Sequence, residues 1–210
     1  SNVGLSLLYF HLRYPEAQLY GFEPDPANFR RLERIVQPLD RIEVYNVALA
    51  GFDGRTEFYA DPHRGQSSST MRRRARQRPV EVEALTLDTV FQRLDLDRVD
   101  LLKFDIEGAE MEVFRRFSHA ERVRLFVGEV HPDLGDWDLE AFLRLFRAFE
   151  IDVRPLDGRR YRMTARAERA PTPRHDCALS GSEETASSSP PFTRASSASG
   201  AGGSSSAAND

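Results

Sequence analysis

Apolar residues along the first two thirds of the chain fall into short blocks, and the blocks switch between two periods. Leu5, Leu8 and Leu12 stand at helical spacing ahead of Pro15, which predicts a helix from Gly4 to about Tyr14. The run Gln18–Phe22 reads as a short buried strand ending at Glu23. Asp25-Pro26 opens a second helix, because aspartate caps free amides and proline suits the first turn. Its stripe is Phe29, Leu32, Ile35 and Val36. Ile42–Leu49 predicts another strand, Phe52-Asp53-Gly54-Arg55 a turn, and Thr56–Ala60 a short strand. After a polar loop from Asp61 to Arg78, Val80–Leu85 alternates with Glu81 and Glu83 as a half-exposed strand does. Thr86 or Asp88 then caps a helix through Val90, Phe91 and Leu94.

Val99–Ile106 is the best candidate for a central strand. Gly108 turns it into a helix bearing Met111, Phe114 and Phe117, and Val123–Val130 is the next strand. Asp136 caps a helix whose face is Leu139, Phe142, Leu143, Phe146 and Phe149. Ile151–Val153 and Tyr161–Met163 form a closing hairpin through Asp157-Gly158. Alternating strands and helices imply an α/β domain, a mostly parallel sheet with helices on both faces, with ligands beyond the carboxyl ends of the strands. From about Ala170, Ser, Ala, Gly and Pro take over and no stripe survives. Residues 169–210 therefore read as a disordered tail on a domain over 1–168.

Composition changes this picture little. The 210 residues suffice for one domain. A net charge of -4 gives no overall pull towards nucleic acid or anionic lipid, and the basic run Met71-Arg72-Arg73-Arg74-Ala75-Arg76 reads as a solvated loop. No apolar run approaches the roughly 18 residues of a membrane span. The single cysteine, Cys177, fits a reducing compartment, so the cytoplasm is the expected location. Of the 29 basic residues only one, Lys103, is lysine.

Candidate chemistry sits at the strand ends. Glu23 follows the first predicted strand, where a carboxylate can accept hydrogen bonds from two ribose hydroxyls. Asn46 offers the donor and acceptor that adenine recognition requires. Lys103, Asp105 and Glu107 share one face of the central strand by alternation, an unusual load of charge unless paired or working. Glu129 and His131 share a face at the end of the next strand, and histidine serves as a general base near neutral pH. Asn2-Val3-Gly4 directly precedes a helix, where glycine lets the backbone approach a ligand.

Together, Asn2-Val3-Gly4, Phe22-Glu23-Pro24, Asn46-Val47-Ala48-Leu49, Ser67-Ser68-Ser69, Leu87-Asp88, Lys103-Phe104-Asp105-Ile106-Glu107-Gly108-Ala109-Glu110 and Glu129-Val130-His131 resemble the motifs of the FkbM methyltransferase family, in order and over residues 1 to about 135. The resemblance implies a class I methyltransferase, Rossmann-like fold with S-adenosylmethionine as donor. The implied acceptor is a small molecule, a hydroxyl of a sugar or secondary metabolite. It places Asn2 and Gly4 at the cofactor loop, Glu23 at the ribose and Asn46 near the adenine. Asp105, Glu107, Glu129 and His131 face the acceptor, with His131, Asp105 and Glu129 as the catalytic residues, Asp105 touching the cofactor as well, and Lys103 and Ser68 beside the acceptor. The chain starts after the acidic residue and glycine that open the family's loop, so the first strand is expected to be missing and the chain to be a fragment.

Methyl transfer to a hydroxyl asks for a base, and His131 or Asp105 would take the proton. Carboxylates of Asp105, Glu107 and Glu129 suit Mg²⁺, but the metal-free version is preferred and no metal is assigned. Two rivals stand beside it. A nicotinamide oxidoreductase would need a full G-x-G-x-x-G loop. A non-catalytic module would bind through a sheet edge or the Arg72–Arg78 loop.

Overall fold

The computed structural model describes residues 4–60 and 78–167. Asn2, Ser68, the basic run, Cys177 and the expected tail lie outside the described residues. The elements run α1 (Leu5–Arg13), β1 (Leu19–Phe22), α2 (Pro26–Val36), β2 (Ile42–Tyr45), β3 (Val47–Leu49), β4 (Gly54–Ala60), β5 (Arg78–Leu85) and α3 (Leu87–Arg93). They continue with β6 (Leu102–Phe104), α4 (Glu110–Arg116), β7 (Leu125–Val130), α5 (Pro132–Gly135), α6 (Leu139–Leu143), β8 (Phe149–Pro155) and β9 (Tyr161–Ala167).

Local chemistry explains most of the boundaries. The Asp25 carboxylate accepts from Ala27 N at 2.8 Å and Asn28 N at 3.2 Å, satisfying amides that the first turn of α2 leaves free. Thr86 caps α3, its hydroxyl accepting from Thr89 N at 3.2 Å. Thr86 N in turn donates to Asp53 at 2.8 Å. Asp88 plays no part in that cap; it accepts from Ser118 N at 2.9 Å.

The structure corrects four expectations from the sequence. In α1 the buried residue is Leu7, which packs with Leu32 and Val36. Leu5 is 73% exposed and Leu12 81% exposed, because only one face of the helix meets another element. The predicted strand over 42–49 is one extended run broken at Asn46. β2 pairs with β1 and β3 with β5, so the run changes partner midway. Asp136 does not cap a long helix; it sits in the left-handed region after the single turn of α5. Asp138 caps α6 instead, accepting from Ala141 N at 2.8 Å. Phe149 belongs to β8, in a hairpin longer than its sequence signal.

The fold is mixed α/β. Ladders β1–β2, β3–β5 and β6–β7 are parallel, while β4–β5, β7–β9 and β8–β9 are antiparallel. A sheet that is mostly parallel is thus not what the described residues form. The parallel ladders nonetheless carry every strand end singled out above. No helix among the described residues is long and apolar enough to cross a membrane.

Beneath β6 and β7 lies a core rich in phenylalanine. Phe114 of α4 meets Phe104, Phe126, Phe142 and Phe146 at centroid distances of 4.7, 5.9, 6.0 and 5.4 Å, all edge-on. Each such pair adds about 0.5–1.5 kcal/mol beyond its buried area. Gly128 stands opposite Phe104 in the β6–β7 register. A Cβ there would lie 2.5 Å from the Phe104 ring, so only glycine leaves room for it. This packing fixes α4, and α4 positions one member of the site.

Candidate active site

Among the described residues β1 pairs only with β2, and β6 only with β7. A cavity of about 1310 Å³ opens between their facing edges, with Leu19 and Tyr20 on one wall and Leu101 and Leu102 on the other. The carboxylates of Glu23, Asp105, Glu107 and Glu129 all border it. A smaller hollow of about 350 Å³ lies beside α3, near Asp88 and His119. Of the buried polar residues, Glu23 and Asn28 line the larger cavity and none lines the smaller one, while His131 and Glu110 stand behind the wall that Asp105, Glu107 and Glu129 form, so the larger cavity is the candidate site.

One corner of the cavity is built at the ends of β1 and β2. Glu23 is 5% exposed, and its Oε1 accepts from Asp25 N at 3.0 Å. Asn46 occupies the break between β2 and β3. Its Nδ2 donates to the carbonyls of Glu23 at 2.8 Å and Pro24 at 3.0 Å. The Asn46 amide therefore holds the Glu23 loop in shape, and the residue does not border the cavity. Gly4 is also off the cavity wall, packed towards Leu32, while Leu5, Ser6 and Leu7 line the wall near it. Buried Asn28, in the first turn of α2, does line the cavity. Sequence reasoning passed over it, since a polar residue one turn into a helix carries no periodic signal.

The other corner forms where β6 and β7 end. The chain leaves β6 after Phe104, so strand alternation does not orient Asp105 or Glu107. Glu107 takes φ 53° and Gly108 φ 102°. These two left-handed residues swing the chain into α4, and the second needs glycine. Lys103 stays behind, exposed on β6 and bordering the cavity. The turn is tied down from outside: Trp137 Nε1 donates to the Gly108 carbonyl at 3.1 Å.

His131 lies one residue past β7 and is 1% exposed. Its Nδ1 is 2.9 Å from Oε1 of Glu110, which is 0% exposed and also accepts from Gly108 N at 3.1 Å. An ionised carboxylate can only accept, so Nδ1 carries the proton and Nε2 is the working nitrogen. Nε2 faces Oδ1 of Asp105 at 4.0 Å and Oε2 of Glu129 at 3.9 Å. Arg160, from the β8–β9 turn, reaches Glu129 at 3.9 Å. Burial pulls the His131 pKa down, but the Glu110 hydrogen bond and the charges of Glu110, Glu107 and Asp105 outweigh it. The net result lies above the usual 6.5.

Asp105, Glu107, Glu129 and His131 thus come together as the strand ends suggested. Glu110 was missed. Its signal was present in the Lys103–Glu110 motif, but a carboxylate in the first turn of a helix reads as an ordinary dipole partner. Arg160 was missed as well, and no local feature marks it.

Comparisons with known proteins identify the family. Residues 2–153 match the family model described as a methyltransferase FkbM domain. The chain is 28% identical over 156 residues to the 2-O-methyltransferase NoeI of Sinorhizobium fredii, a match covering 65% of this chain and 64% of that protein. It is 26% identical over 176 residues to Methyltransferase 1 of Beauveria bassiana, covering 72% of this chain and 70% of that one. It is also 28% identical over 169 residues to Methyltransferase sdnD of Sordaria araneosa, covering 64% and 65%. The chain thus spans about two thirds of the length of these relatives.

Proposed function

The chain belongs to the FkbM methyltransferase family, and on that premise we propose that it moves a methyl group from S-adenosylmethionine to a hydroxyl oxygen of a small acceptor, such as a sugar or a secondary metabolite. One observation carries this reading: a single cavity joins the buried Glu23 corner to the Asp105–Glu129 corner. Its volume of about 1310 Å³ exceeds the roughly 300–1,000 Å³ usual for one small ligand. The relative named as a 2-O-methyltransferase supports oxygen as the target.

The residues present fit the donor. A buried carboxylate such as Glu23 is the group that accepts from both hydroxyls of a ribose, and Asn28 adds a buried amide on the same wall. When bound, S-adenosylmethionine supplies a methyl carbon on a positively charged sulfonium. Leucine and aromatic side chains along the walls of the cavity disfavour water there as a competing acceptor. At its other end the acceptor hydroxyl sits over Asp105 and Glu129, held in line for displacement. Its proton leaves to His131 Nε2 or to the Asp105 carboxylate, and Glu110 keeps the imidazole in the tautomer that can receive it. In this reading the ladders β1–β2, β3–β5 and β6–β7 are the Rossmann-like part of a class I methyltransferase sheet. The protein works as a cytoplasmic enzyme that engages neither nucleic acid nor membrane.

Calorimetric titration with S-adenosylhomocysteine tests the reading, followed by transfer of radiolabelled methyl from S-adenosylmethionine to a panel of sugars and polyols. Binding in the micromolar range and an alkali-stable methyl ether product are expected. A chain with a native circular-dichroism spectrum that binds no S-adenosylhomocysteine would overturn it.

A further inference from the structure

We propose that Asp105, Glu107 and His131 bind one divalent cation at the acceptor end of the cavity. The ion's role rests on the methyltransferase reading; its binding does not.

Each of the three residues offers one ligand atom, and these atoms lie within 4.8 Å of one another. The Glu110 carboxylate holds the proton on Nδ1 of His131, so the lone pair of the neutral ring is on Nε2, the arrangement seen in carboxylate–histidine–metal triads. Nε2 has no hydrogen-bond partner among the described residues. Its nearest acidic oxygens stand at 3.9 and 4.0 Å, too far for hydrogen bonds. Across an ion with bonds of about 2.1 Å, two ligands are separated by at most about 4.2 Å. The 4.0 Å between Nε2 and Asp105 lies within that limit.

Charge points the same way. Asp105, Glu107 and Glu110 all act on the one imidazole, and Glu129 lies 3.9 Å from its Nε2. Carboxylates grouped in this way are what a hard divalent ion takes as ligands. Carboxylate oxygens with one imidazole nitrogen suit Mn²⁺ or Mg²⁺ better than ions that prefer thiolate. The open positions of the ion face the cavity and take the acceptor oxygen. With Nε2 engaged, the hydroxyl proton passes to Glu129, outside the ligand set. The O–H bond breaks and its electron pair stays on oxygen. That oxygen bonds the methyl carbon as the carbon–sulfur pair returns to sulfur.

The chelator-treated chain is titrated with MnCl₂, following free Mn²⁺ by electron paramagnetic resonance and heat by calorimetry. One Mn²⁺ per chain is expected, with a nitrogen coupling that disappears in His131→Gln. Asp105→Asn, a change at an exposed position, weakens binding at least about tenfold, as expected from losing one charged ligand, and Glu23→Gln leaves it unchanged. Absence of Mn²⁺ binding by the folded chain overturns the proposal, as does binding that Asp105→Asn leaves intact. The same samples titrated with S-adenosylhomocysteine separate the two readings. Cofactor binding without Mn²⁺ binding sinks the ion alone, and the reverse upholds the ion and sinks the methyltransferase.

Discussion

The two corners of the cavity are built on opposite plans. At the Glu23 corner, side chains are spent on the backbone: Oε1 of Glu23 accepts from Asp25 N, and Asn46 Nδ2 binds two carbonyls. The corner is a shaped wall with one carboxylate set into it. At the His131 corner, Glu110 holds the rear of the imidazole, while Nε2 faces Asp105 at 4.0 Å and Glu129 at 3.9 Å across a gap. A wall recognises a ligand by shape and by a few fixed acceptors. A charged gap is where protons or ions change hands. The first corner is thus expected to govern binding of the donor and the second to govern turnover.

Replacing residues one corner at a time should keep those effects apart. The largest expected effect is that of His131→Asn, which lowers methyl transfer by about 10²–10⁴-fold, the range for losing a group that takes the acceptor proton directly or helps to place the acceptor for its transfer. S-adenosylhomocysteine affinity in that variant should stay within about threefold of the parent, well under the roughly 1.4 kcal/mol of a tenfold change. A comparable loss of affinity would join the two corners into one functional unit. Next, Glu23→Gln is expected to weaken S-adenosylhomocysteine binding by roughly ten- to a hundredfold, the worth of hydrogen bonds to a charged acceptor. A calorimetric titration reads this directly, and unchanged affinity would remove Glu23 from the donor site.

A smaller effect belongs to the loop that shapes the wall. Asn46→Ala removes two hydrogen bonds to the Glu23 and Pro24 carbonyls and should cost about 1–3 kcal/mol of stability in urea denaturation. The least disruptive change is Glu110→Gln in chelator-treated protein. Glu110 raises the His131 pKa above its usual 6.5 against the effect of burial. Without its charge, the His131 titration followed by NMR should move down. The sign carries over to stability: in the parent, the raised pKa adds stability that is fully present below pH 6.5 and fades as pH rises through the native value. Glu110→Gln should lose most of that pH dependence. An unmoved titration would mean that Asp105 and Glu107 alone set the protonation of His131.

The contrast between the corners also explains what the sequence could and could not tell. Glu23, Asp105, Glu129 and His131 were legible because each stands at a strand's carboxyl end, and topology sends those ends to one side of an α/β sheet. The cap at Asp25 was legible because its chemistry is local. Strand alternation was not a reliable guide to Asp105 and Glu107, since the chain turns out of β6 at Phe104 and Glu107 adopts a left-handed backbone. Asn46 was read as a ligand contact because its side chain permits that as readily as the carbonyl bridge it makes. Glu110 meets His131 across 21 residues of chain, and nothing in the local pattern of either residue announces the pair. The antiparallel hairpin β8–β9, which brings Arg160 to Glu129, is likewise a tertiary outcome.

Helix α4 spans seven residues, too few to persist in water without a partner. Phe114 anchors it in the aromatic core one turn beyond Glu110. Acid–base chemistry and cooperative unfolding are thereby coupled: the Glu110–His131 pair lasts only while the phenylalanine cluster stays intact. On heating, the His131 environment should melt together with the core rather than before it. The β1–β2 edge, held by a smaller cluster of Leu7, Leu32 and Val36, is free to exchange its amides earlier.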